Sequence, residues 1–310
     1  MPKPIVVPLD GSPRAEHALV PVVALARVIN CDVHLLHVRA EAAVAVTDAV
    51  NAYLQATAYR IEDEYGGGRV ITAQRVGPVA KSIVQYARQV NAALIVMGTR
   101  HQDGLPQSVV ASVAARVARR AGMPVLLTGL ETTPVQRGEQ WTCRRILVPL
   151  DGSERAQQIV APVTALAAAF RARVTLLRVI PVVALDIGYP PVPLGAPLEA
   201  IAVQQEAMAQ VEEVAQRLRA QGVSADTRVV RTVAPVAEAI TNEAIDTHAD
   251  LVAIATRGHG MARRFAYGSV AHELVKRGDF PLLILSPREA EEQPSGQEHA
   301  AAAEILPATV

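Results

Sequence analysis

Short runs of Val, Ile and Leu recur along the chain, separated by longer segments with apolar residues at helical spacing. Runs that are apolar throughout, with no alternation of polar residues, mark parallel strands covered by helices on both faces. In the second half this pattern predicts strands near 145–150, 173–179, 226–231, 250–255 and 281–286, and helices near 154–170, 198–220, 235–247 and 268–277. Ser153, behind Gly152, supplies a helix start signal, and Gly222 stands where the second of these helices should stop. Strand and helix alternate strictly, which predicts a doubly wound open parallel-sheet α/β unit.

The unit occurs twice. IVVPLDGSPRA at 5–15 returns as ILVPLDGSERA at 146–156, an offset of 141 that still holds between Leu36-His37-Val38 and Leu177-Arg178-Val179. From Pro78-Val79-Ala80 and Pro235-Val236-Ala237 onward the offset is 157, so the second copy carries sixteen extra residues between those anchors. The Pro-rich stretch IPVVALDIGYPPVPLGAP is expected to supply them as loop. The domains predicted are 1–128 and 143–288, joined by a polar, turn-rich linker at 129–142. A tail at 289–310, rich in Glu, Gln and Ala, is read as disordered. Each copy closes on an apolar, uncharged strand, PVLLTG at 124–129 and PLLILS at 281–286. Such an edge invites aggregation, and pairing of the two halves, or of two chains, removes it.

Composition narrows the function. Thirty Lys and Arg balance thirty Asp and Glu, so the uniform positive field of a nucleic-acid-binding protein is missing. Cys31 and Cys143 have no CxxC or Cys/His spacing around them, which suggests neither a disulfide framework nor structural zinc. The first residues lack the apolar core of a signal peptide, and no apolar run approaches the ~20 residues that span a bilayer. A soluble, cytoplasmic protein without nucleic-acid or membrane partners is expected.

In an open parallel sheet the ligand crevice lies at the carboxyl ends of the strands, where the strand order reverses. The candidate groups of the second half are therefore Pro149, Leu150, Asp151, Gly152 and Ser153, then Val179 and Ile180, then Ala255, Thr256, Arg257 and Gly258. Gly268-Ser269, followed by Val270, opens a helix whose first N–H groups lack internal partners and sit at the positive end of its dipole. A phosphate is stabilised there, and glycine lets the backbone approach it. Arg263 and Arg264 in the same loop carry positive charge. No Walker loop is present, and the GxGxxG that begins at Gly258 fails at Arg263. His272-Glu273 opens an HExxH that ends in Lys276, and no GxSxG occurs. Ser12 and Ser153 stand where helix caps are needed. No catalytic or metal-ligating set is predicted.

At these residues the chain resembles the universal stress protein family in its tandem form, over about 1–128 and 143–287. The resemblance implies a Rossmann-like fold of the adenine nucleotide alpha hydrolase type. Nucleotide-binding members carry G-x2-G-x9-G-[ST], a loop that holds ATP together with an Asp after the first strand. The second half reads Ala255-x2-Gly258-x9-Gly268-Ser269 and departs only at Ala255. The first half reads Gly98-x2-His101-x9-Ala111-Ser112, keeping the first glycine and losing the other two. The resemblance implies an ATP site, with Mg²⁺ on the phosphates, in the second domain. Asp151 lies on its adenosine side and Val179 near the base, while Asp10, Val38, Gly98 and Ser112 remain from a weaker first site. It further implies pairing through the last strands and a regulatory, stress-response role toward a partner protein. A slow ATPase or adenylyl-transfer enzyme and a nucleotide-free dimerisation scaffold are the alternatives.

Overall fold

The computed structural model describes residues 2–40, 47–65, 69–99, 113–129, 141–182, 184–185, 192–193, 197–256 and 269–286. Linker residues 130–140 and the tail at 289–310 lie outside them. The first half runs β1 (Ile5–Pro8), α1 (Pro13–Glu16), α2 (Leu19–Ile29), β2 (Val33–Arg39), α3 (Thr47–Tyr65), β3 (Val70–Val76), α4 (Val79–Gln89), β4 (Leu94–Gly98), α5 (Val113–Arg120) and β5 (Val125–Thr128). The second half repeats the order: β6 (Arg145–Pro149), α6 (Glu154–Gln157), α7 (Val160–Phe170), β7 (Arg173–Pro181), a small hairpin of β8 (Ala184–Leu185) and β9 (Val192–Pro193), α8 (Pro197–Ala220), β10 (Ala225–Thr232), α9 (Val236–Asp246), β11 (Leu251–Ala255), α10 (Ser269–Arg277) and β12 (Leu282–Leu285).

All ten long strands form one sheet, ordered β10-β7-β6-β11-β12-β5-β4-β1-β2-β3. Within each half the pairing is parallel and the order reverses beside the first strand, between β1 and β4 and between β6 and β11. These are the switch points at which crevices form. The halves meet where β12 and β5 pair antiparallel, with Leu282 opposite Leu127, Leu283 opposite Leu126 and Ile284 opposite Val125. The two apolar closing strands thereby cover each other's edges. Alternate strand residues feed a core layer on each face, and both layers run through the two halves: Ile5, Leu35, Ile146 and Val174 lie in one, Val6, Ile95, Leu147 and Ile284 in the other.

Three details depart from the sequence pattern. The helix expected over 154–170 is two helices, α6 and α7, as are α1 and α2 in the first half. Pro162 and Pro21 explain the break, because a continuous helix would press the proline ring against the carbonyl four residues back and lack one N–H. Restarting at Val160 or Leu19 puts the proline in a first turn, where that N–H has no helical partner to lose. The sixteen extra residues are only partly loop: α8 has 24 residues against 19 in α3, and the connection between β7 and α8 holds the β8–β9 hairpin. Trp141, in the stretch read as linker, is 7% exposed and packs edge-on against Phe170 at 5.6 Å, so the second core begins there.

The first half also buries a polar cluster. His34 Nδ1 lies 2.8 Å from Tyr86 Oη, and the Arg75 guanidinium stands 4.7 Å over the Tyr86 ring. In the second half Thr175 occupies the place of His34, and Glu243, in the place of Tyr86, pairs with Arg228 at 2.8 Å. Burial holds the His34 pKa below its ordinary value; Asp32 opposes the shift and Arg69 adds to it.

Two outcomes are expected. A chain cut once between residues 130 and 140 should elute as one particle of the uncut size, because β5 and β12 hold the halves together; separate peaks at micromolar concentration would contradict this. The depressed His34 pKa means that the unfolded chain takes up the proton first on acidification. The stabilisation from neutral His34 is therefore complete above about pH 6.5 and is lost as pH falls through the lower, folded value. His34→Thr should flatten that part of the pH dependence of the urea midpoint, and an unchanged slope in the variant would count against the assignment.

Candidate functional site

The crevice of the second half is built on the turn after β6. Leu150 N–H donates to Leu177 O at 2.8 Å, which keeps the chain in the sheet one residue beyond the strand. Gly152 then turns it at φ +84°, a conformation that disfavours a side chain. Asp151 Oδ1 accepts from Ser153 N–H at 2.9 Å and from the Ser153 hydroxyl, and Ser153 Oγ accepts from Ala156 N–H at 3.1 Å. Ser153 is thus the N-cap of α6, and its hydroxyl proton is already given to Asp151. The first half repeats the turn through Asp10, Gly11 at φ +83° and Ser12, whose Oγ accepts from Ala15 N–H at 3.2 Å.

A cavity of about 470 Å³ opens beside this turn, within the range of small-molecule sites. Pro149, Leu150 and Asp151 line it from the end of β6, Val179 from β7 and Ala255 from the end of β11. Ser269 and Val270, in the first turn of α10, line it as well. With Thr256, the cavity brings together eight of the second-domain candidates. Arg257, Gly258 and Gly268 lie outside the described residues, as do Ser112, His101 and Ala111 of the first half. Val179 is 9% exposed and belongs to the core as well as to the cavity. Val38, its counterpart, packs half-buried against the same core layer.

Gly98 has a packing role. A Cβ built on it would stand 2.3 Å from the Arg14 carbonyl oxygen of α1, so the missing side chain is what lets α1 lie on the end of β4. Ala255 holds the equivalent position in the second half and carries that Cβ.

Thr256, another of the candidate groups, also lines the cavity; it is buried, and its hydroxyl meets the Ser286 hydroxyl at 2.6 Å, tying the ends of β11 and β12. The charged cavity residue that the pattern missed is Arg178, on β7, which donates from Nη1 to Leu150 O at 3.3 Å. Its signal was a polar residue inside the apolar run VTLLRVI, matched by His37 in VHLLHVR, which bonds Leu9 O at 2.8 Å through Nδ1. Asp151 and Arg178 are the charged side chains among the described cavity residues. The first turn of α10 contains no acidic residue, so nothing there neutralises its positive end. The cysteines take no part: burial pushes Cys31 up to about 11 and Cys143 up to about 12, far from thiolate formation at neutrality.

Two doubly wound domains fused through their closing strands, with a cavity at the switch point of the second, define a tandem open-sheet α/β protein. The chain belongs to the universal stress protein family, whose sequence profile matches residues 1–129 and 142–286. A universal stress protein of Thermus aquaticus is 31% identical over 149 residues, covering 46% of this chain and 98% of the relative. One from Methanocaldococcus jannaschii is 29% identical over 137 residues, covering 40% and 81%. A solved universal stress protein of Archaeoglobus fulgidus superimposes with a TM-score of 0.68 at 15% identity, over 92% of this chain and 99% of that one. The last likeness speaks to the fold alone. Among the described residues no helix is long and apolar enough to cross a membrane.

Gly98→Ala should destabilise the first domain by roughly 1–3 kcal/mol, because backbone stands where its Cβ must go. Ala255→Gly should change stability by no more than about 1 kcal/mol. Urea denaturation of both variants checks the contrast, and a neutral Gly98→Ala would remove the packing explanation.

Proposed function

We propose that the chain binds ATP in the second-domain crevice and acts as a nucleotide-responsive regulatory module of the stress response. The observation that carries this reading is that one cavity is lined both by Asp151 and by the first turn of α10, which contains no acidic residue. A ligand with an anionic end and a hydroxyl-bearing end matches such a cavity. Ser269 and the first N–H groups of α10 would hold phosphate oxygens, with Gly258, Gly268 and Arg257 of the preceding loop joining them. Asp151 would accept from the sugar, and Val179 would pack against the base. Among the described residues no group of three His, Cys, Asp or Glu side chains could hold a metal, so Mg²⁺ would be carried by the phosphates.

Turnover should be slow. Asp151, the one carboxylate among the described cavity residues, accepts from Ser153 N–H and hydroxyl and is assigned here to the sugar end, away from the phosphates where water would have to be activated. The first half is read as a structural partner, since α1 closes over Gly98 and His101 and Ala111 replace the later glycines. Calorimetry should therefore give one ATP per chain, bound more tightly than AMP, and Gly268→Val should abolish binding while leaving the melting curve close to wild type. Two equivalent sites, or equal affinity for ATP and AMP, would refute this placement.

A further inference from the structure

The turn at Gly152 is crowded by polar atoms that its first-half counterpart lacks. A Cβ on Gly152 would lie 2.7 Å from Gln210 Oε1 and 3.6 Å from Arg178 Nη2, whereas one on Gly11 would meet nothing within 4 Å. Two of the atoms gathered there are buried without a hydrogen-bond partner: Arg178 Nε, a donor, and Gln210 Oε1, an acceptor. Gln210 reaches the turn from α8, and its amide nitrogen donates to Glu206 at 3.3 Å. Among the described residues Arg178 makes one long bond, to Leu150 O, although its planar group carries five donors. Buried polar atoms in native proteins are normally paired, and a donor and an acceptor left unpaired beside a cavity point to a ligand that satisfies them.

Position identifies which part of the ligand. β7, which carries Arg178, and β11, which leads toward α10, lie on opposite sides of β6, two strand spacings or roughly 10 Å apart. A ligand whose phosphate meets the first turn of α10 therefore extends across β6 toward Arg178. A hydroxyl or a nucleobase edge offers both an acceptor and a donor to that end, whereas a bare phosphate offers acceptors alone. We propose that Arg178 is a ligand-binding residue that holds the nucleoside end of the bound nucleotide, with Gln210 beside it, so that the β7 side of the cavity selects nucleotides over plain polyphosphates. This rests on the nucleotide reading of the cavity.

The test uses the full chain and two competitors of a fluorescent ATP analogue, ATP and inorganic tripolyphosphate. Arg178→His, which installs the residue that the first half carries at this place, should weaken ATP about tenfold, as expected for loss of a charge-assisted hydrogen bond, and leave displacement by tripolyphosphate unchanged. Arg178→Lys keeps the charge without the planar donors and should show the same split. Unchanged ATP affinity, or equal loss for both competitors in either variant, overturns the inference while leaving nucleotide binding in place. Failure of wild-type protein to bind the analogue or ATP overturns the nucleotide reading itself, and this inference with it.

Discussion

The bare edge of a parallel sheet is the constraint from which the rest of this molecule follows. Each half ends on a strand without a charged residue, β5 and β12, and neither edge can remain in water without attracting another strand. Antiparallel pairing of the two satisfies both ladders at once and lets each core layer run unbroken from one half into the other. It also fixes orientation. Strands are parallel within each half and antiparallel across the join, so the carboxyl ends of β1 and β4 point to one side of the sheet and those of β6 and β11 to the other.

Within each half the crevice is shaped less by the ligand-facing residues than by what lies behind them. The Asp-Gly-Ser turn caps a one-turn helix through Ser12 or Ser153, and Pro21 or Pro162 forces the chain to restart directly after it. In the first half that short helix packs on the end of the fourth strand so closely that no Cβ fits between them, since one on Gly98 would stand 2.3 Å from the Arg14 carbonyl oxygen. The second half has Ala255 at the same position. The two halves thus differ at a packing contact as well as at the loop glycines.

Strand positions, their order along the chain and the tandem architecture were legible because apolar runs and the repeat at offsets 141 and 157 depend only on local sequence. The helix break was written in Pro162 but hidden by a window of helical period that ran across it. Trp141 looked like linker because its neighbours are polar, and only the tertiary contact with Phe170 shows it to be core. Eight residues that line the cavity were legible from the rule that ligands gather at strand ends and from the family loop. Arg178 was not, since a polar residue in a buried strand reads as an exception to the apolar pattern, and what it faces depends on α8, distant in sequence. The conformations repeat where the residues do not: Asn30 and Arg171 both stop their helices left-handed, at φ 54° and 53°.

Joining the two halves in one polypeptide changes what selection can do to them. In a particle built from two identical subunits, every substitution in a crevice appears twice, so a residue cannot be lost from one copy and kept in the other. Here β5 and β12 belong to the same chain, and each is encoded separately. His37 and Arg178, His34 and Thr175, Gly98 and Ala255 could therefore diverge while the shared sheet kept both halves folded. Each half serves as the scaffold on which the other's edge depends, and the symmetry of the architecture survives in a molecule whose two crevices carry different residues.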